Sequence, residues 1–165
     1  MTPVSPRTPL ATLLRMLDEG YDHRAWHGTN LRGSLRGLTA QQAAWRTAPK
    51  RHNIWEVTLH AAYWKYAVRR RLTGEKRGSF AHKGSNWFAR PAGPATEAAW
   101  RDDLALLERT HRELRAVVEK FSPALLGRRT PGLKTSPFDL ILGVAFHDVY
   151  HAGQIQLLKR LQKRL

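Results

Sequence analysis

The sequence predicts an all-α protein, a bundle of four helices, from three observations. Apolar residues recur at helical spacing in four segments, and capping or proline signals stand before most of them. No segment shows the strict alternation with β-branched residues that is typical of strands. The chain has 165 residues, of which 42% are hydrophobic, and this is enough apolar material for one core. We therefore expect a single domain over residues 1–165.

The first predicted helix spans residues 9–37. Thr8 can cap it, Pro9 suits its first position, and leucines keep a helical phase as far as residue 38. Each glycine within it lowers helix stability by about 1 kcal/mol relative to alanine. We expect a kink or a break around the tripeptide Trp26, His27 and Gly28.

The second predicted helix runs from residue 54 to 72. Asn53 and Glu56 form a capping-box pattern, in which each side chain satisfies an exposed backbone amide of the first turn. Residues 73–95 then carry glycine, serine, lysine and proline without a sustained period, which indicates an irregular connection. This connection is long enough to return along a helix of about 30 Å, so that helices two and three could lie parallel.

The third predicted helix spans residues 96–121, where a row of apolar side chains ends before Pro123 and Gly127. The fourth begins after Ser136, with Pro137 in the first helical position, and runs to the end of the chain. Four helices with one long connection therefore account for most of the sequence.

Three histidines are candidate metal ligands. His147 and His151 are four residues apart, hence on the same face of helix four, at positions where the apolar stripe would otherwise carry leucine. His60 occupies an inward position in the middle of helix two, and facing helices of a bundle can bring such positions together. Buried imidazoles need partners for their ring nitrogens, and one metal ion can satisfy several of them. The alternative is that each is a core histidine bonded to a neighbouring polar group.

Three further residues are candidates for the surroundings of this site. Glu56 could orient the free ring nitrogen of His60, or it could only complete the capping box. Gln154 lies one turn beyond His151 and could bind a ligand or the backbone. His27 could line the mouth of a pocket or lie on the surface. Four aromatic residues are interpreted as core side chains: Trp26, Trp55, Trp64 and Tyr150. Four other histidines lack paired spacing and are interpreted as structural or exposed: His23, His52, His82 and His111.

Composition limits the possible chemistry. The chain contains no cysteine, which excludes disulfides, cysteine-bound metals and an internal thiol nucleophile. No apolar run approaches the roughly 20 residues that span a bilayer, and we expect a soluble, cytoplasmic protein. The formal net charge of +15 keeps open a role in binding nucleic acid, although no nucleic-acid-binding motif accompanies it.

The run His60-Ala61-Ala62-Tyr63-Trp64, together with the segment from His147 to Ile155, resembles the DinB-like superfamily of metalloproteins. The resemblance implies an up-down-down-up four-helix bundle with a long crossover between helices two and three. It also implies that His60, His147 and His151 bind a divalent ion, zinc or nickel, and that the protein is a homodimer. Characterised members use the metal to activate a low-molecular-weight thiol.

Two hypotheses about function follow. Three neutral imidazoles leave at least one position of the ion open, which is typical of catalytic rather than structural sites. The first hypothesis is a metal-dependent enzyme, a thiol-dependent transferase or a hydrolase, acting on a small molecule in stress or detoxification. The second is a basic nucleic-acid-binding or stress-response protein with a structural metal and no catalysis.

Overall fold

The computed structural model describes residues 8–129 and 135–163, and within these ranges the chain forms helices and no strands. The predicted all-α class is confirmed. Four long helices carry the fold, with two short helices and one 3₁₀ turn between them. Their bounds are α1 Pro9–Tyr21, α2 Leu31–Leu35, α3 Ala40–Ala44, α4 Ile54–Thr73, α5 Glu97–Glu119, the 3₁₀ turn Pro123–Leu125 and α6 Pro137–Gln162.

Three of the long helices begin where the sequence predicts, because their capping side chains are in place. Thr8 accepts a hydrogen bond from the backbone of Ala11, and Ser136 accepts one from the backbone of Asp139. Asn53 and Glu56 form the complete capping box. Each cap satisfies an amide that the helix itself leaves without a partner. None of the helices in the described ranges is both long and apolar enough to cross a membrane.

The extent of one helix over residues 9–37 was predicted wrongly, but the break expected around Trp26, His27 and Gly28 is confirmed. Helix α1 ends at Tyr21, and α2 starts only after Asn30, whose side chain caps the Gly33 amide at 2.8 Å and also donates to the His23 carbonyl. Gly28 has a φ of 100°, which no α-helix contains. The connection carries Trp26 into solvent, where its side chain is fully exposed, so its interpretation as a core residue is also wrong.

Helix α3 was not predicted, although the sequence carries a signal for it. Thr39 and Gln42 form a second capping box, in which each side chain bonds the backbone amide of the other residue. The helix has five residues, too few for an apolar period to be visible.

The four long helices pack around a shared core. Helix α4 lies along α5 and α6, and α1 lies along the same two helices from the other side. Trp55 of α4 and Trp100 of α5 meet edge to face in one buried cluster. A second cluster contains buried side chains from all four helices: Leu13, Leu17, Val68, Leu114, Val118, Ile141 and Val144.

A fully buried ion pair joins α4 to α6 within this core. Lys65 donates to the carboxylate of Asp148, and both side chains have no exposed surface. The Lys65 ammonium also lies 4.9 Å from the centre of the Tyr21 ring, a cation–π distance. Burial raises the pKa of Asp148 to about 6, and the Lys65 charge opposes that rise. The two charges therefore depend on each other to remain in the core.

We expect Lys65→Met to destabilise the protein by about 3–5 kcal/mol, because it leaves a carboxylate buried without its partner. The double variant Lys65→Met with Asp148→Leu removes both charges and should recover most of that loss. Urea unfolding of the metal-free proteins measures both. A single variant as stable as the parent would contradict the assignment of Lys65 as the essential partner of Asp148.

Candidate metal centre

Three histidine side chains from α4 and α6 converge on one point. Nε2 of His147 lies 3.0 Å from Nε2 of His60 and 3.0 Å from Nε2 of His151. The three residues offer ligand atoms that all lie within 4.8 Å of one another, and His60 and His151 are buried. Two imidazole nitrogens on a tetrahedral zinc ion are about 3.3 Å apart, given Zn–N distances of about 2.0–2.1 Å. Small shifts of the rings would therefore bring the nitrogens to the spacing that such an ion requires.

The outer ring nitrogens of two of these histidines already have partners. Nδ1 of His60 lies 2.8 Å from the carbonyl oxygen of Asn86, and Nδ1 of His151 lies 2.7 Å from Oε1 of Gln154. Because these oxygens accept hydrogen bonds, each Nδ1 carries the proton of its ring. The opposite nitrogen, Nε2, is then an unprotonated lone pair that faces the centre of the cluster.

This arrangement leaves too few protons at the centre. His147 can contribute at most one Nε2 proton as a neutral ring, and that proton can satisfy only one of its two neighbours. The nitrogen of the remaining neighbour also lies 3.0 Å from Nε2 of His147. Its lone pair would then face an N–H that already donates to the other neighbour, or, without that proton, a second lone pair. A cation between the three nitrogens satisfies all of them at once. The donor set thus fits a divalent metal ion that accepts imidazole ligands.

Burial keeps these rings neutral. It lowers the pKa of His147 to about 3 and that of His151 to about 4, and it also lowers the pKa of His60. The proximity of the other rings lowers the pKa of His147 and of His151 further. Neutral imidazole is the form that binds metal, so at neutral pH none of the three rings has to release a proton to the solvent when the ion binds.

The long connection between α4 and α5 covers one side of the cluster. Trp87 stacks on the His60 ring with 3.8 Å between ring centres, and His52 also stacks on Trp87, with 3.7 Å between ring centres. Asn86 has a φ of 66°, and its side-chain oxygen accepts a hydrogen bond from Trp64 while its carbonyl binds His60. The connection therefore fixes the position of the His60 ring.

A cavity of about 550 Å³ opens on the histidine cluster. This volume suits a small organic molecule. Besides the three histidines it is lined by polar and apolar side chains from α4, α6 and two connections: Arg51, His52, Val57, Trp87, Tyr150, Gln154, Leu157 and Leu158. Tyr150 is 63% exposed, so its interpretation as a core aromatic is wrong.

The three candidates for the surroundings of the site have different positions. Gln154 bonds His151 as a partner of its outer nitrogen. Glu56 does not contact His60; its carboxylate completes the capping box and binds Arg46 and His52. Burial alone would raise the pKa of Glu56, but these bonds lower it to about 2. His27 is exposed and is not among the residues that line the cavity.

Two residues of the site were not identified from the sequence, Asn86 and Trp87. They lie in a connection without periodicity, so no pattern predicts which way their side chains point. A weak signal exists, because asparagine tolerates positive φ better than most residues and a large aromatic residue is unusual in a connection rich in glycine and lysine. Neither property indicates contact with His60.

A family model described as the DinB superfamily matches residues 23–155, which contain all three histidines and the whole connection between α4 and α5. No curated protein and no solved structure matches the chain.

The depressed histidine pKa values predict how the stability of the metal-free protein depends on pH. An unfolded histidine titrates near pH 6.5 and folded His147 near 3, so the unfolded chain binds more protons between these values. The free energy of unfolding should fall as the pH is lowered from 6.5 towards 4. In His147→Gln the free energy of unfolding should fall less over the same pH range, because this variant lacks the histidine whose pKa is lowered. Urea unfolding with a chelator present tests this, and an equal fall in both proteins would contradict the burial of a neutral His147.

Proposed function

The chain belongs to the DinB superfamily, and on that premise we propose that it binds one divalent ion, zinc or nickel, through His60, His147 and His151. We propose further that it is a metal-dependent enzyme acting on a small molecule. The observation that carries this proposal is the convergence of three Nε2 atoms, two of which, those of His60 and His151, belong to rings that carry their proton on the far side. The lone pairs that meet there have too few protons to bind, and a metal ion would accept them instead.

The open side of the cluster supports an enzyme rather than a protein with a structural metal. Three protein ligands are the usual number at catalytic zinc sites, whereas structural sites have four. The cavity of about 550 Å³ reaches the histidines and gives a small molecule access to a fourth position. A metal ion bound there would lower the pKa of a coordinated thiol or water enough to make it a nucleophile at neutral pH.

A thiol substrate would have to come from outside the chain, which has no cysteine. We propose a low-molecular-weight thiol as one substrate, in a transfer reaction, with hydrolysis as the alternative if water takes the same position. The protein's own part is to hold the ligands and exclude water. Asn86 and Gln154 fix two rings by their outer nitrogens, which also increases the basicity of the ligand atoms. Trp87 covers His60 and keeps solvent from that side.

We propose that the four long helices form the up-down-down-up bundle of the family. Contacts between helix ends support parallel α4 and α5, since Trp55 bonds Asp103 near both starts and Arg69 pairs with Glu113 further along both. Residues 74–96 would then be the crossover.

Contacts of the outer helices support the remaining directions. Tyr21 bonds Glu108 while Asp18, earlier in α1, pairs with Arg115, later in α5. This order is that of antiparallel neighbours. Helices α4 and α6 are also antiparallel. Lys65, later in α4, pairs with Asp148, whereas His60, earlier in α4, meets His151, later in α6.

The homodimer stays a prediction, and the surface of α6 supports it. Phe146, Tyr150, Leu157 and Leu161 are exposed at helical spacing on this helix. Exposed apolar stripes of this kind are typical of surfaces that a partner covers.

The metal proposal predicts one equivalent of zinc or nickel per chain in untagged protein supplied with that ion, because the described residues contain one such group of three histidines. His147→Ala should lose the metal, whereas His27→Ala, an exposed histidine away from the cavity, should keep it. Elemental analysis after gel filtration measures both. If the nickel form is used, adding 2-mercaptoethanol should produce a thiolate charge-transfer band. A parent protein without stoichiometric metal would refute the proposal, and metal without the band would exclude the thiol.

The position of His60 should depend on the backbone of Asn86. Asn86→Gly permits the same positive φ and keeps the carbonyl that binds His60, so metal affinity should change little. Asn86→Val disfavours that backbone conformation and should weaken zinc binding by about 10- to 100-fold, the usual effect of losing a group that orients a ligand. Competition with a fluorescent zinc chelator compares the two. Equal affinities would show that the Asn86 carbonyl does not position His60.

A further inference from the structure

The charge distribution in the cavity is one-sided. Of the described residues that line it, Arg51 alone carries a permanent charge, and none is acidic. The three histidines of the candidate metal site are neutral, and a bound metal ion would add two positive charges beside them. A ligand that enters this cavity therefore meets a positive field that the lining itself does not balance.

The backbone of Arg51 is held firmly beside the cavity. Its amide bonds the Ala48 carbonyl in a turn that passes through Lys50, which has a φ of 64°. Its carbonyl accepts a hydrogen bond of 2.6 Å from Arg46, and Arg46 is held by both carboxylate oxygens of Glu56. The backbone of Arg51 is therefore held in position, although its side chain is exposed.

The guanidinium of Arg51 has no carboxylate partner in the part of the chain that the structure describes. No carboxylate in residues 8–129 or 135–163 lies within 4.0 Å of it. The carboxylate nearest in sequence, Glu56, is occupied by Arg46 and His52. Arg51 therefore remains free to bind a carboxylate of a ligand, for which the planar guanidinium provides two parallel N–H groups.

The neutral polar groups of the cavity add a donor. The Gln154 oxygen accepts from His151, and one N–H of its amide nitrogen donates to the hydroxyl oxygen of Tyr150 at 3.0 Å. The hydroxyl proton of Tyr150 then stays available to a ligand. Arg51 and Tyr150 are both donors, which favours a ligand that accepts hydrogen bonds.

The remaining side chains of the lining indicate what the uncharged part of the ligand is like and how many charges it carries. Val57, Leu157 and Leu158 present aliphatic carbon, and Trp87 presents an aromatic ring. In the proposed function a thiol or water takes the open position of the metal, so Arg51 is the one permanently charged side chain of the described lining that is left to pair with this ligand. A second negative charge on the head group would then be desolvated without a partner of its own. The lining thus matches one negative charge on an apolar body.

Resting on the proposed function, we propose that the cavity binds an apolar monocarboxylate, aliphatic or aromatic, as the substrate that reacts beside the metal. Arg51 binds its carboxylate and determines specificity, and the apolar walls bind its body. Arg51 is a binding residue of this site and does not hold the metal.

The experiment compares two probes of the same shape on the zinc-loaded protein. Isothermal titration calorimetry with 4-phenylbutyrate and with its neutral amide, 4-phenylbutanamide, should show that the carboxylate binds about tenfold more tightly. Arg51→Met should abolish this preference and leave the affinity for the amide unchanged. Arg51→Lys should keep part of it. Arg109→Met removes the same charge from an exposed position on α5 and should keep the whole preference.

The outcomes separate this inference from the proposed function, because the zinc content of each sample is measured first. Protein that holds zinc but shows no preference for the carboxylate refutes the inference and leaves the metal site intact. A preference that survives in Arg51→Met also refutes it, since the metal alone would then bind the carboxylate. Protein that holds no zinc refutes the proposed function, and this inference with it.

Discussion

The contact on which the site most depends is the buried pair of Lys65 and Asp148. Lys65 lies on α4 a little more than one turn after His60, and Asp148 lies on α6 between His147 and His151. A shift of α6 along α4 by one turn, about 5.4 Å, would separate the two charges inside the core and separate the histidines at the same time. The ion pair therefore penalises every register except the one in which the three rings meet. Its value lies in selecting an arrangement rather than in net stability.

The packing of α1 reinforces this register. Gly20 lies so close to α6 that a Cβ atom in its place would stand 3.0 Å from the carbonyl oxygen of Ala145 and 3.7 Å from Cβ of Asp148. A side chain at this position would push α1 away from the part of α6 that carries Asp148. Tyr21, the next residue, covers Lys65 with its ring and donates its hydroxyl proton to Glu108. The glycine thus has a packing role in a helix that it would otherwise weaken.

Sequence patterns predicted the parts of the structure that depend on local chemistry. The starts of the long helices followed from Thr8, Asn53 and Ser136, because a cap acts on amides within the next three residues. The grouping of His147 with His151 followed from helical spacing alone. The contact of His60 with them needed the family resemblance, since spacing does not determine which face of one helix meets another. Asn86 and Lys65 escaped prediction because their partners are distant in sequence and no period marks a connection or an isolated charge.

The metal-binding residues lie on helices, whereas part of the cavity wall lies on connections. The two parts of the site can therefore vary to different extents. The three histidines lie on α4 and α6, where packing and the ion pair hold their positions within the core. Trp87 and Arg51, which shape the cavity, lie on connections, and connections vary in sequence more readily than helices do. A metal ion would also fix His60 relative to α6, and Asn86 would transmit this restraint to the connection that carries Trp87. Metal binding and the shape of the cavity are therefore coupled through one hydrogen bond, although the ligands and the walls are built separately.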